Sequence, residues 1–142
     1  MPKTLSTLSW VGTRSVCTLS RAQQIDLDLW VQTDAENSKA VYQALVVYGA
    51  PLAGVSPEDF NKQAQTGFQI GVAPVRIDIL HRIDGVSFDE AWERRVKDSL
   101  DGIPVYVISL EDLVRNKLKS GRPRDLLDIE DIQKAATFRR KP

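Results

Sequence analysis

Asp26-Leu27-Asp28-Leu29-Trp30-Val31 and Val75-Arg76-Ile77-Asp78-Ile79-Leu80 alternate polar and apolar side chains. That period of two belongs to a strand whose faces meet different surroundings. In the first stretch Leu27, Leu29 and Val31 share one face, and Asp26 and Asp28 share the other. In the second, Val75, Ile77 and Ile79 point one way and Asp78 the other. A carboxylate in an apolar strand is costly unless it is compensated. Three of them, on strands that can be neighbours, suggest a divalent cation as the compensation.

Working outward, 142 residues predict one domain over 1–142, large enough to bury a core, with 1–9 and 138–142 as flexible ends. Nineteen Lys and Arg balance nineteen Asp and Glu, so no global field draws in nucleic acid. A hydrophobic share of 42% is slightly low, but it is well patterned. Cys17 is the only cysteine, which excludes an internal disulfide and makes a reducing cytoplasm the default expectation. No apolar run approaches the length of a membrane span, and Met1-Pro2-Lys3-Thr4-Leu5 lacks a signal-peptide core.

The spacing of punctuation then predicts the elements in order. Ser9-Trp10-Val11 begins a short strand that ends at Gly12, and residues 13–24 read as a loop, or a loop with one helical turn. Thr33-Asp34-Ala35-Glu36 has the form of a capping box, opening a helix with Val41, Ala44, Leu45 and Tyr48 on one face and Gly49 at its end. Ser56-Pro57 starts a second, short helix that ends near Gln65. Phe68–Val72 and the Asp78 strand form a hairpin, and His81–Gly85 is a turn with His81 partly exposed. Ser87 caps a helix with Phe88, Ala91, Trp92 and Val96 as its stripe. Asp101-Gly102 is a turn and Pro104–Ile108 a strand. Ser109 caps a helix stopped by Gly121, and Pro123 starts the last one, with Leu126, Leu127, Ile129 and Ile132 apolar. The order β, β, α, short α, β, β, α, β, α, α predicts a small α/β or α+β domain, a mixed sheet flanked by helices. Trp10, Trp30 and Trp92 read as core or core-edge aromatics, and Arg139–Pro142 as a frayed basic tail.

Mg²⁺ takes oxygen ligands and keeps several waters, so one or two carboxylates plus substrate phosphates hold it. Asp-x-Asp on a strand places two carboxylates on one face about 6.5–7 Å apart, able to straddle one ion or hold two. A third carboxylate on the adjacent strand completes a two-metal clamp for phosphoryl displacement, and a carboxylate near the attacking hydroxyl can take its proton. The residues alone leave other readings open. Asp26 and Asp28 can lie on the solvated face of an edge strand, and Asp78 can face solvent or pair with Arg76 or Arg82.

Val11-Gly12-Thr13, a twelve-residue spacer and Asp26-Leu27-Asp28-Leu29 resemble the signature of the nucleotidyltransferase (polymerase-β-like) superfamily. Four further stretches look like a group of small prokaryotic members, related to minimal nucleotidyltransferases and the AbiEii type of toxin. These are Phe68-Gln69-Ile70-Gly71, Val75–Leu80, Gly85-Val86-Ser87-Phe88-Asp89-Glu90-Ala91-Trp92 and the segment Ile108–Asp128. The pattern Asp112-Leu113, Asn116-Lys117, Gly121-Arg122-Pro123, Asp125, Asp128 is the most distinctive part, and the resemblance spans about residues 10–134.

What the resemblance implies is a nucleotidyltransferase fold that moves a nucleoside monophosphate from an NTP to a hydroxyl acceptor, with one or two Mg²⁺ ions. Asp26 and Asp28 would be the metal-binding pair, Asp78 the third metal ligand and base. Gly12 and Thr13 would line the triphosphate, and Lys117 would face the phosphates. The acceptor is left open between a tRNA end, a protein side chain in a toxin–antitoxin pair and a small molecule, and a homodimer is also open. A local patch of Arg115, Lys117, Lys119, Arg122 and Arg124 offers nucleic acid a footprint. Thr13–Ile25 departs from the pattern, which sets a second expectation beside the first: a non-catalytic protein of this fold acting as a binding partner. A metal-dependent nuclease ranks third, because no acidic-x-Lys pair accompanies Asp78.

Overall fold

The structure is a computed structural model, and it describes residues 15–19, 25–62, 67–72, 75–100 and 102–139. Six strands form one mixed sheet: β1 (Ser15–Leu19), β2 (Ile25–Val31), β3 (Gly67–Val72), β4 (Val75–Leu80), β5 (Val96–Leu100) and β6 (Ile103–Val107). Their spatial order is β3-β4-β2-β1-β6-β5. Three antiparallel hairpins, β1–β2, β3–β4 and β5–β6, are joined by parallel pairings of β2 with β4 and of β1 with β6. The helices are α1 (Ala35–Tyr48), α2 (Phe88–Glu93), α3 (Leu110–Ser120) and α4 (Pro123–Arg139), with a 3-10 turn over Pro57–Asn61. The expected mixed sheet flanked by helices is what these residues form.

The alternation in β2 and β4 explains why the sheet has two different faces. Leu27, Leu29, Val31, Ile77 and Ile79 are buried in one core cluster with Val41 and Leu45 of α1 and Phe60 of the 3-10 turn. Each such side chain contributes roughly 1.5–3 kcal/mol by leaving water. On the opposite face Trp30 packs with Val86, Ala91 and Ile108, and Leu80, Phe88, Trp92 and Leu113 lie against that cluster. Trp30 meets Phe88 edge-on at 5.1 Å between centroids. This second face is therefore apolar at the Trp30 and Leu80 end and carries Asp28 and Asp78 next to it.

Several boundaries differ from the sequence expectation. Residues 15–19, expected as loop, form β1, because pairing against β2 from Ser15↔Val31 to Leu19↔Leu27 supplies what local pattern lacks. Asp34, not Thr33, caps α1, with its carboxylate accepting from the Asn37 backbone at 2.7 Å. The Ser56 segment is a 3-10 turn that ends at Asn61, closed by Asp59 accepting from the Ser56 backbone N–H at 2.8 Å. The helix expected to include Val96 ends at Glu93, and Val96 begins β5, the antiparallel partner of β6. The run Val96-Lys97-Asp98-Ser99 is too polar to announce a strand by itself. In the last helix Ile129 is buried, but Leu126 and Leu127 are exposed. The helix reaches Arg139, beyond the expected fraying point, and the Ser9–Gly12 strand lies outside the described residues.

His81 also corrects an expectation. It is buried, its ring lying 6.3 Å from Phe60 and 5.9 Å from Phe68. Its Nδ1 is 3.0 Å from the Lys62 carbonyl oxygen. A carbonyl can only accept, so that nitrogen carries the proton. The residue closes the end of β4 over the core.

Candidate functional site

The parallel register of β2 and β4 sets Asp26 opposite Arg76 and Asp28 opposite Asp78. In-register residues on neighbouring strands are about 4.8 Å apart and project from the same face. The odd-numbered residues around them fill the core, so Asp28 and Asp78 stand on the opposite face, half-buried. On its other side Asp78 is opposite Gln69 of β3. Arg76, two residues before Asp78 and on the same face, reaches it with a guanidinium nitrogen 3.2 Å from Oδ2. Their side chains are 35% and 22% exposed, so the pair is shielded but open to water on one side. Of the alternatives that the sequence left for Asp78, pairing with Arg76 is the one observed.

The structure thus brings two of the three expected carboxylates side by side. The Asp26 backbone continues the same row, but its side chain lies outside the described residues, as do Gly12 and Thr13. Among the described residues no group of three Asp, Glu, His or Cys side chains is disposed to hold a metal ion. A two-carboxylate pair is what those residues supply.

Lys117 is engaged by two carboxylates of α4. Its Nζ is 2.8 Å from Asp128 and 3.4 Å from Asp125 across the α3–α4 corner. Ser120 donates to Asp125, and Arg122 approaches the same carboxylate at 3.5 Å. The Ser120 hydroxyl and then the Lys117 charge hold the Asp125 carboxyl below its ordinary range. Of the basic patch named from the sequence, Arg115 is paired with Glu111 at 3.0 Å and Lys117 with α4, while Lys119, Arg122 and Arg124 are exposed. The patch is therefore partly neutralised within the molecule.

The other distinctive residues of that C-terminal pattern turn out to be scaffold. Asp112 has no exposed surface and receives a two-pronged contact from Arg94, at 2.6 and 3.0 Å, and a hydrogen bond from Ser109 at 2.9 Å. Those donors keep its carboxyl below the usual range, the Arg94 hydrogen bonds first. Asn116 donates to the Asp84 carbonyl at 2.9 Å, tying α3 to the turn that follows β4. Gly85 in that turn has φ +78, and a Cβ there would meet the Lys119 side chain at 2.8 Å. Arg94 has no role assigned from the sequence, and Arg76 has none that is fixed. An arginine just past a helix, eighteen residues before an aspartate, carries no spacing signal of its own.

Arg95 completes the support on the far side. Its guanidinium lies 4.1 Å from the Trp92 ring centroid and 4.7 Å from that of Tyr106, fastening the end of α2 to β6.

Comparison with known proteins gives no match to a family model, to a curated protein or to a solved structure. Among the described residues no helix is long and apolar enough to cross a membrane.

Proposed function

We propose that this chain has a nucleotidyltransferase fold and transfers a nucleoside monophosphate from an NTP to a hydroxyl acceptor, using Mg²⁺. The observation that carries the reading is the in-register placement of Asp28 and Asp78 on adjacent parallel strands. The pair fits a hard divalent ion: two oxygen-donor side chains, half-buried, on one face. Asp28 and Asp78, with Asp26 continuing the row, would hold it. Bound there, Mg²⁺ would neutralise the developing charge on the phosphates.

In the reaction the acceptor hydroxyl oxygen forms a bond to the α-phosphorus, the bond from that phosphorus to the bridging oxygen breaks, and pyrophosphate leaves. The hydroxyl proton passes to a carboxylate within hydrogen-bond reach, the role proposed for Asp78. Gly12 and Thr13 would cradle the triphosphate and Lys117 would neutralise phosphate, once released from Asp125 and Asp128. The acceptor is a tRNA end, a protein side chain as in toxin–antitoxin pairs, or a small molecule.

The Arg76–Asp78 contact favours one second reading. A carboxylate already paired with a guanidinium can be satisfied without a cation, which suits a non-catalytic relative acting as a binding partner. Incubation with each radiolabelled NTP, Mg²⁺ and bulk tRNA or lysate separates the two. Label transfer by the wild type and its loss in Asp28→Asn are expected. No NTP binding and no transfer with any of the four NTPs would leave the binding-partner reading standing alone.

A further inference from the structure

We infer that Arg76 is a built-in counter-cation that competes with the divalent ion for Asp78, setting the affinity of the site for metal. The inference rests on the metal-dependent reading proposed above and concerns how that site is regulated.

Three observations carry it. Arg76 is in register with Asp26 on one side and is two residues from Asp78 along its own strand. It therefore occupies one corner of the block of four positions formed with Asp26, Asp28 and Asp78. Its guanidinium already touches Asp78 at 3.2 Å. Both side chains are partly buried, at 35% and 22% exposure, so the contact is less screened than that of a surface pair.

The consequence is electrostatic. A group fixed at +1 beside the carboxylates lets them sit together when no metal is bound, and it repels any cation that approaches. At a separation of roughly 6 Å, even with water-like screening, the repulsion of a divalent ion by a guanidinium weakens binding about tenfold. Arginine stays protonated throughout the working pH range, so the competition cannot be relieved by deprotonation. It can be relieved by giving the guanidinium another anion. A phosphate offers the two-pronged partner that guanidinium geometry favours. A nucleotide would then release Asp78 as it arrives, and metal and nucleotide would bind with positive coupling.

The test uses Mn²⁺ as the probe ion, with free Mn²⁺ measured by electron paramagnetic resonance on the full chain. Arg76→Gln removes the charge and keeps much of the side-chain volume, and Arg76→Lys keeps the charge as a control. Mn²⁺ should bind Arg76→Gln about tenfold more tightly than the wild type, and Arg76→Lys should stay near the wild type. Should Arg76→Gln fold but be too unstable for titration, its melting temperature with and without Mn²⁺ gives the same answer. The ion should then raise its melting temperature more than that of the wild type. Binding to the wild type with no tightening in Arg76→Gln overturns the inference and leaves the metal site intact. Absence of Mn²⁺ binding in wild type and both variants overturns the metal-dependent reading itself.

Discussion

Asp112 is fully buried, and its carboxylate is surrounded by donors from Arg94, Ser109 and, at 3.6 Å, Arg115. Removing one partner of a buried pair leaves the other uncompensated, which is why such changes are costly. Arg94 and Arg115 are more than a third exposed, so water offsets part of the loss. Asp112→Asn should therefore destabilise the fold by about 2–3 kcal/mol, below the range for a fully enclosed pair. Urea denaturation at pH 7 measures it. The same residue shows why a pattern can be legible while its meaning is not. Asp112, Asn116 and Gly85 all stand in stretches singled out from the sequence for their pattern, yet each has a structural job here. The chemistry of a carboxylate or an amide is the same in a scaffold and in a site. Only the three-dimensional partners tell the two apart.

At the scale of elements, the glycine that opens β3 makes the sharpest prediction. Gly67 has φ +150, and a Cβ there would come within 1.9 Å of the Ile79 carbonyl oxygen. That oxygen is backbone in the central β4 ladder and cannot swing aside. Gly67→Ala should cost about 2 kcal/mol or more, through strain at the β3–β4 hairpin. Loss of thermal stability with unchanged far-ultraviolet circular dichroism is the expected signature. Asp34→Ala should cost about 1 kcal/mol, the usual value of a lost helix cap, read as a shift in denaturation midpoint.

Elements with their own local signals were readable in advance: α1 from its apolar stripe and Gly49, α3 from Ser109 and Gly121, and the β3–β4 hairpin from its alternation. Strands β1 and β5 were not, since both owe their form to partners far along the chain. Within the candidate site, the alternation put Asp28 and Asp78 on polar faces. Their adjacency came only from the parallel register, which local sequence does not encode.

At the scale of the whole molecule, three carboxylates among the described residues hold depressed pKa values, and they shape its response to acid. Asp59 is lowered to about 2, first by its hydrogen bond from Lys62 and then by the Ser56 backbone N–H. Asp112 and Asp125 are lowered through Arg94 and Ser120 respectively. A carboxyl whose folded pKa lies below its unfolded value, near 4, contributes stability that is present above the unfolded pKa. That contribution fades as the pH falls through the folded value. Melting temperature should therefore hold steady above about pH 5 and drop progressively from about pH 4 toward pH 2. Scanning calorimetry across that window is the check, and Asp112→Asn should show a shallower acid slope than the wild type.

The two parallel joints of the sheet are unequal, and this bears on how the molecule opens. β2 and β4 are held by six consecutive partners, from Ile25↔Val75 to Trp30↔Leu80. Among the described residues β1 and β6 share one, Cys17↔Val107. A ladder that short gives little cooperativity across it, so the β5–β6 hairpin should form a separate unit of local unfolding. Amide hydrogens of β6 should exchange with solvent well before those of β2 and β4. The acidic row would then lie in the block that opens last, kept in register by the slowest-exchanging part of the protein.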